Sequence, residues 1–154
     1  MKSSKTLSPQ EYATLLKFPA FISILAAFRD FKLDENEKKT AVKLAHAQIL
    51  YCDPLLVEFY READKVFENN LEQIDKDLPN EKESRKVAIK TALLKLENIA
   101  LKLGNEYTSA LNRSLNSFKE QVSKAHYNVI SDFVLPITVL GLTDSKKNGD
   151  ASET

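Results

Sequence analysis

Three carboxylates between two apolar segments are the residues of this chain best suited to chemistry. Asp30, Asp34 and Glu37 lie four and three residues apart within the stretch FRDFKLDENEK (28–38). Hard divalent cations prefer carboxylate oxygens, so the three residues are candidate metal ligands. The same residue types also begin helices. Asp34 can cap a helix, and Glu37 can return a hydrogen bond to the cap from the third helical position.

Asp30 is the member of this group that capping does not explain. We expect it at the carboxyl end of an apolar helix, where the helix dipole disfavours a negative charge. Arg29, Lys32 or a bound divalent metal would each relieve that conflict. The sequence therefore predicts that Asp34 acts mainly as a helix cap and that any divalent metal bound here is bound weakly.

The other candidate groups form no known catalytic pattern. His46 and His126 are the only histidines, and neither belongs to a His-x-x-x-His or Glu-x-x-His spacing. We interpret both as half-buried, hydrogen-bonded side chains. Cys52, the only cysteine, lies six residues after His46, which is not a helical-neighbour spacing, and is interpreted as a buried thiol. The three glycines are isolated, which excludes a phosphate-binding loop and a dinucleotide fingerprint.

Size and charge indicate one globular domain. A chain of 154 residues is long enough to form a hydrophobic core. Its 22 basic and 22 acidic residues give no net charge, which argues against a dedicated nucleic-acid binder. A single cysteine excludes an internal disulfide, and no basic-apolar leader follows Met1, so we expect a cytoplasmic protein.

Two uncharged runs, FPAFISILAAF (18–28) and FVLPITVLGLT (133–143), are each eleven residues long. Because about 20 apolar residues are needed to cross a bilayer, we expect no membrane span. The residues after the second run are polar and cannot bury surface. The sequence therefore predicts a single helical domain over 1–142 and a flexible polar tail over 143–154.

Apolar residues recur at three- and four-residue steps through six segments, and no alternating strand pattern is found. Caps and breakers mark the segments: SPQE (8–11), Pro19, Asp34, Asp53-Pro54, LPNE (78–81), Gly104 and Pro136. The second segment is apolar on every side, which is typical of a buried helix. We predict an all-α fold, a compact bundle of five to seven helices. We also expect its long fourth, fifth and sixth helices to pack as antiparallel neighbours.

The order of residues 7–45 resembles the first repeat of the tellurite-resistance TerB-like family. That repeat has a short helix, a proline-started buried helix, an Asp-Gly turn, and an Asp and a Glu that begin the next helix. Asp30, Asp34 and Glu37 match the three acidic residues, and Phe31 stands where the family has glycine. Because a residue with a side chain resists positive φ, we expect Phe31 to limit how tightly the turn curls.

A weaker match to a second repeat covers residues 92–125, with Gly104 at the turn and no aspartate at the matching positions. The resemblance implies an all-α bundle of two degenerate helical repeats. It also implies a cytoplasmic protein associated with stress or tellurite resistance, sometimes metal-binding, with no established catalytic residues.

Three functions remain open at this stage. The first is a non-enzymatic helical domain that binds an unknown protein partner and carries a degenerate acidic turn. The second is a divalent-metal-binding protein or metal-dependent hydrolase that adds Glu58, Glu62 or Asp64 to the turn, and it needs at least four convergent carboxylates. The third is an adaptor that forms a homodimer through FVLPITVLGL. In none of them do we expect a structural metal.

Overall fold

The computed structural model describes residues 7–27 and 30–127, and these residues form six α-helices and one 3-10 helix with no extended strand. The helices are α1 (Pro9–Leu15), α2 (Phe18–Leu25), α3 (Glu35–Tyr51), the 3-10 helix (Pro54–Leu56), α4 (Val57–Asp77), α5 (Lys82–Leu101) and α6 (Asn105–Tyr127). The predicted all-α bundle is confirmed. The run 133–143, the tail and the predictions for the His126 side chain lie outside what the structure describes.

Local hydrogen bonds fix the helix starts that the sequence predicts. The Ser8 hydroxyl accepts a bond from the Glu11 N–H at 3.0 Å, and the Glu11 carboxylate accepts one from the Ser8 N–H at 3.0 Å. Asp34 and Glu37 form the same reciprocal pair, at 2.8 and 2.9 Å. Asp53 accepts a bond from the Leu55 N–H at 2.9 Å, but it begins the 3-10 helix, so α4 starts only at Val57.

Helix α2 lies at the centre of the bundle. All of its side chains are buried except that of Phe21, which is half-buried, and it packs against α4, α5 and α6. The predicted arrangement of the three long helices is therefore only partly right. Helices α5 and α6 contact each other, whereas α4 packs mainly on α2 and α3. An all-apolar helix must be surrounded, so α2 occupies much of the contact surface of α4. Helix α4 still meets α6, at contacts such as Tyr60 with Ser114 and Phe67 with Phe118.

A left-handed glycine joins α5 to α6. Gly104 has φ +97°, as predicted for a residue that ends a helix, and its N–H donates to the Leu101 carbonyl at 3.2 Å. The buried Thr108 hydroxyl donates to the carbonyls of Ala100 and Gly104, each at 2.8 Å. The Gly104 N–H thus satisfies a carbonyl at the end of α5, and the Thr108 hydroxyl adds a second donor to two carbonyls that already accept from the N–H groups of Leu103 and Thr108.

Within the described part of the chain, no helix combines the length and the apolar character that crossing a bilayer requires.

Candidate functional site

The acidic turn adopts an unusual backbone. Asp30 has φ 53° and Phe31 has φ 57°, so two consecutive residues with side chains are left-handed. The expectation that Phe31 would resist positive φ, and so limit how tightly the turn curls, is wrong. The expectation that Asp30 ends the second helix is also wrong, because α2 ends at Leu25. A non-glycine residue in this conformation costs on the order of 1 kcal/mol, so other contacts must hold the turn.

Arg85 supplies those contacts. Only 1% of its side chain is exposed. Its Nε donates to the Phe31 carbonyl oxygen at 2.6 Å, and its Nη1 donates to the carbonyl oxygens of Asp75 and Pro79, each at 3.3 Å. Its Nη2 forms an ion pair with the Asp75 carboxylate. The guanidinium thus ties the acidic turn to the end of α4 and the loop before α5, while the half-buried Phe31 ring packs against the core.

Sequence reasoning missed Arg85, because it lies in the charged stretch NEKESRKVAIK (80–90), a composition typical of a solvated helix start. A signal was nevertheless present. Arg85 lies four residues before Ile89, which begins the buried face of α5 that continues through Leu93 and Leu96. Helical spacing therefore places its side chain on the face that meets the core.

Two of the three predicted metal ligands have other partners. Asp34 and Glu37 are paired within the capping box, and the Asp30 side chain is exposed. Among the described residues, no group of three or more His, Cys, Asp or Glu side chains is arranged to hold a metal ion. The metal site at Asp30, Asp34 and Glu37 stays a prediction that only a titration can test.

The carboxylates proposed for a hydrolase do not gather around the turn. Glu58 is exposed, Glu62 pairs with Lys65 at 3.0 Å, and Asp64 pairs with His46. The His46 Nδ1 lies 2.8 Å from an Asp64 oxygen and links α3 to α4. His46 is thus hydrogen-bonded, as predicted, but 71% of its side chain is exposed, so the prediction that it is half-buried is wrong.

Cys52 does not have the environment of an activated nucleophile. The thiol is half-buried, and burial raises its pKa above the ordinary value of a cysteine. A raised pKa leaves little thiolate at neutral pH, and the thiolate is the reactive form. The prediction of a buried thiol is thus only partly right, since Cys52 is half-buried, and its raised pKa disfavours a role as a nucleophile.

One corner of the bundle exposes large apolar side chains. Leu50 is 76% exposed, Tyr51 79% and Leu55 41%, and all three lie where α3 ends and the 3-10 helix follows. Among the described residues only six large apolar side chains are exposed, so this group of three within six positions is a local concentration. We call Leu50, Tyr51 and Leu55 the corner surface.

A polar cleft of about 230 Å³ adjoins the corner surface, between the end of α3 and α6. Its lining includes Tyr51, Cys52, Gln48, Arg113 and Gln121. The buried Gln48 amide donates to the Gln121 side chain at 3.4 Å, so the wall is partly pre-ordered. Arg113 is exposed and makes no ion pair with any described residue, which leaves its guanidinium available at the cleft.

A hydrogen bond between Tyr60 and Ser114 also orders the α6 wall of the cleft. The buried Tyr60 hydroxyl lies 2.7 Å from the hydroxyl of Ser114, which lines the cleft. Burial raises the pKa of the Tyr60 phenol far above its usual value, and the bond to Ser114 offsets only part of that effect. Tyr60 is therefore a neutral hydrogen-bonding group that fixes α4 against α6.

A second groove, of about 250 Å³, lies between α3 and α4. Val42 and Leu71 contribute its apolar part, and its rim alternates three lysines with three glutamates: Lys38, Lys39, Lys43, Glu35, Glu68 and Glu72. Equal numbers of opposite charges favour neither an anionic nor a cationic ligand. This groove indicates no ligand class.

Comparison of the chain with protein-family models, curated protein sequences and solved structures finds no significant match in any of the three. The resemblance to the TerB-like family accordingly stays a prediction.

Proposed function

We propose that this chain is a non-enzymatic, cytoplasmic helical interaction domain of the TerB-like kind, and that it binds a partner protein through the corner surface and the adjoining cleft. The observation that carries the proposal is the exposure of Leu50, Tyr51 and Leu55 beside Arg113, which is exposed and has no ion-pair partner among the described residues. Concentrated apolar side chains on the surface of a monomer commonly mark a binding site.

The physical chemistry of the surface defines the partner. Fully burying an apolar side chain of this size contributes roughly 1.5–3 kcal/mol, and tyrosine and arginine are enriched among the residues that dominate binding energy. A carboxylate is the natural partner of an exposed guanidinium, because the pair forms two parallel hydrogen bonds. The partner is thus a protein segment with an apolar anchor residue next to an acidic residue.

The state of the reactive groups also supports a binding role. The carboxylates of Asp34 and Asp75 hold structural hydrogen bonds, and Cys52 has a raised pKa. An enzyme needs a nucleophile, acid or base free to act on a substrate, with partners that tune it for that task. In the TerB-like interpretation, the acidic turn is a degenerate remnant and the corner surface carries the interaction.

The test is peptide selection on the purified chain. A random peptide library is selected, and the affinity of the enriched peptides is measured by fluorescence anisotropy against the unmodified chain and its variants. We expect peptides with adjacent apolar and acidic residues. Tyr51→Ala and Arg113→Glu should each weaken binding at least about tenfold, which corresponds to about 1.4 kcal/mol.

Matched controls separate this surface from the rest of the molecule. Leu94→Ala removes an exposed apolar side chain, 55% accessible, from α5, and Asp30→Asn removes an exposed charge of the acidic turn. Both variants should bind the selected peptides as the unmodified chain does. Failure to enrich any peptide, or binding that is indifferent to Tyr51→Ala and Arg113→Glu, would refute the proposal.

A further inference from the structure

A second exposed apolar feature runs along the outer face of α5. Val87 is 62% exposed, Leu94 55% and Leu101 51%, and the three lie at intervals of seven residues. Positions seven apart on an α-helix drift by only about 20°, so these side chains form a nearly straight row. Thr91 and Asn98, also exposed, alternate with them. We call these five residues the α5 stripe.

The stripe is distinct from the face of α5 that forms the core. The buried residues of that helix, among them Ile89, Leu93 and Leu96, meet the core, and α5 packs on α1, α2 and α6. One apolar face is enough to dock a helix in a bundle, so the stripe is not needed to hold α5 among the described helices. The steps of four and three residues between members of the stripe match the seam of a two-helix coiled coil.

We propose that the α5 stripe binds the α5 stripe of a second copy of this chain in antiparallel orientation. Leu94 lies midway between Val87 and Leu101. A two-fold axis close to Leu94 therefore brings the two Leu94 side chains together. It also directs Val87 of each copy toward the Leu101 end of the other. This is the self-complementary geometry of a dimer with two-fold symmetry.

Charge favours this occupant and this orientation. Lys90 and Glu97 flank the stripe on one side, both are half-buried, and neither makes an ion pair with a described residue of its own chain. In an antiparallel pair this flank faces the same flank of the other copy, so Lys90 meets Glu97 twice. A parallel pair would instead bring Lys90 toward Lys95 of the other copy twice, and the Lys102 that Glu97 would then meet is already paired with Glu11 of its own chain. The antiparallel pair has one like-charge contact, between the two Lys95 side chains on the opposite flank, so charge opposes it less.

The size of the stripe sets the strength of the association. Two single helices with three apolar side chains each bury less than the roughly 1,200 Å² at the lower end of stable interfaces. Thr91 and Asn98 place polar groups within the seam, and such groups select register at a cost in affinity. We therefore expect a reversible dimer that forms as concentration rises, not a permanent one.

The first test is sedimentation equilibrium of the full chain over concentrations from micromolar to millimolar. The unmodified chain should shift from monomer to dimer within this range. Leu94→Lys should remain monomeric, because two ammonium groups would meet at the axis, and Leu94→Ala should weaken the dimer at least about tenfold. Leu50→Lys changes an exposed leucine of the corner surface and should dimerise normally, which separates this proposal from the proposed function.

A charge exchange tests the orientation. Lys90→Glu and Glu97→Lys each create two like-charge contacts in the antiparallel dimer, so each should weaken it by about tenfold at low salt. The double variant restores both pairs and should dimerise like the unmodified chain. In a parallel dimer Lys90→Glu would strengthen the association, by facing Lys95.

Circular dichroism should show that each variant is folded, because the changes are at exposed or half-buried positions. A chain that stays monomeric at every concentration would overturn the proposal. So would a Leu94→Lys variant that dimerises like the unmodified chain, or a double variant that fails to recover the loss.

Discussion

The guanidinium of Arg85 makes hydrogen bonds to three backbone carbonyls and one carboxylate while it is almost completely buried. A buried charge is tolerated only when it is paired and its donors are satisfied. Arg85 meets both conditions, and Lys38 lies 3.7 Å from the same Asp75 carboxylate. At the residue scale, this network is the main polar interaction that holds the left-handed turn.

Arg85→Met should lower the free energy of unfolding by about 2–4 kcal/mol, because methionine fills much of the volume but leaves three carbonyls and Asp75 without their donor. Urea denaturation followed by circular dichroism measures the loss. Lys95→Met, on the exposed face of the same helix, should change stability by less than about 0.5 kcal/mol. Equal effects from the two substitutions would contradict the structural role of Arg85.

Asp34→Ala should cost about 1 kcal/mol, with or without divalent metal, because it removes the cap of α3. Glu35→Ala, beside it but outside the capping box, is the control. Asp30→Asn should be neutral or slightly stabilising, since asparagine tolerates the left-handed conformation seen here. Calorimetric titration with calcium, magnesium and zinc completes the test. Micromolar binding that disappears in Asp30→Asn would establish the metal site and displace the capping interpretation.

Tyr60 makes stability sensitive to alkaline pH. Burial raises the pKa of its phenol in the folded chain, whereas the unfolded chain ionises near the ordinary value of about 10. The contribution of the neutral phenol is thus complete below about pH 10 and is lost as pH rises above that value. Urea unfolding from pH 8 to pH 11 should show this loss, and Tyr60→Phe should reduce it. Tyr51→Phe, an exposed counterpart, should leave it unchanged.

The residues whose capping roles the sequence predicted correctly are hydrogen-bonded to a residue three positions away in the chain. Ser8 with Glu11 and Asp34 with Glu37 are local pairs, so their roles follow from spacing alone. Arg85 differs, because its bond to Phe31 joins positions 54 apart in the chain. Spacing can place a side chain on a buried face, but it cannot name a partner that only the tertiary fold supplies.

At the scale of elements, apolar periodicity predicted the number and the nature of the helices, but not which of them would be neighbours. Periodicity identifies the face of a helix that is buried and says nothing about what buries it. Helix α2 shows the limit: its all-round apolar character predicted burial, yet its position among α4, α5 and α6 emerged only from the packed structure. The sequence pattern did not predict the corner surface or the α5 stripe either, because the exposure of a side chain depends on how the helices pack in the bundle.

Among the positions that join helices, Gly104 is the one where we expect a small substitution to reduce stability most. A Cβ at this residue would meet nothing within 4 Å, so the cost of Gly104→Ala arises from the positive φ alone. That cost should be about 1–2 kcal/mol, and Gly104→Asn should cost less. Thermal unfolding measures both. Ser109→Ala, at an exposed position within α6, should be neutral or slightly stabilising, and a loss there equal to that of Gly104→Ala would contradict the argument.

At the scale of the whole molecule, one core extends through the described helices and contains residues from α1 to α6. We expect this core to maintain the fold without a metal ion, as the amount of apolar side chain predicts. Thermal unfolding with and without a chelator should give the same midpoint. A large fall in the midpoint under chelation would show that the chain depends on a structural metal, with Asp30, Asp34 and Glu37 the first candidates to replace.

The positions of the Arg85 acceptors in the chain also bear on when its hydrogen bonds form during folding. Helices α3 and α4 are consecutive and can pair early, but the acceptors of Arg85 lie on the turn, at the end of α4 and in the loop before α5. If the Arg85 guanidinium left water before all of its acceptors were in place, its desolvation would not be compensated by hydrogen bonds. We therefore expect its bonds to form after the rate-limiting step. In stopped-flow measurements Arg85→Met should accelerate unfolding and leave the rate of folding almost unchanged.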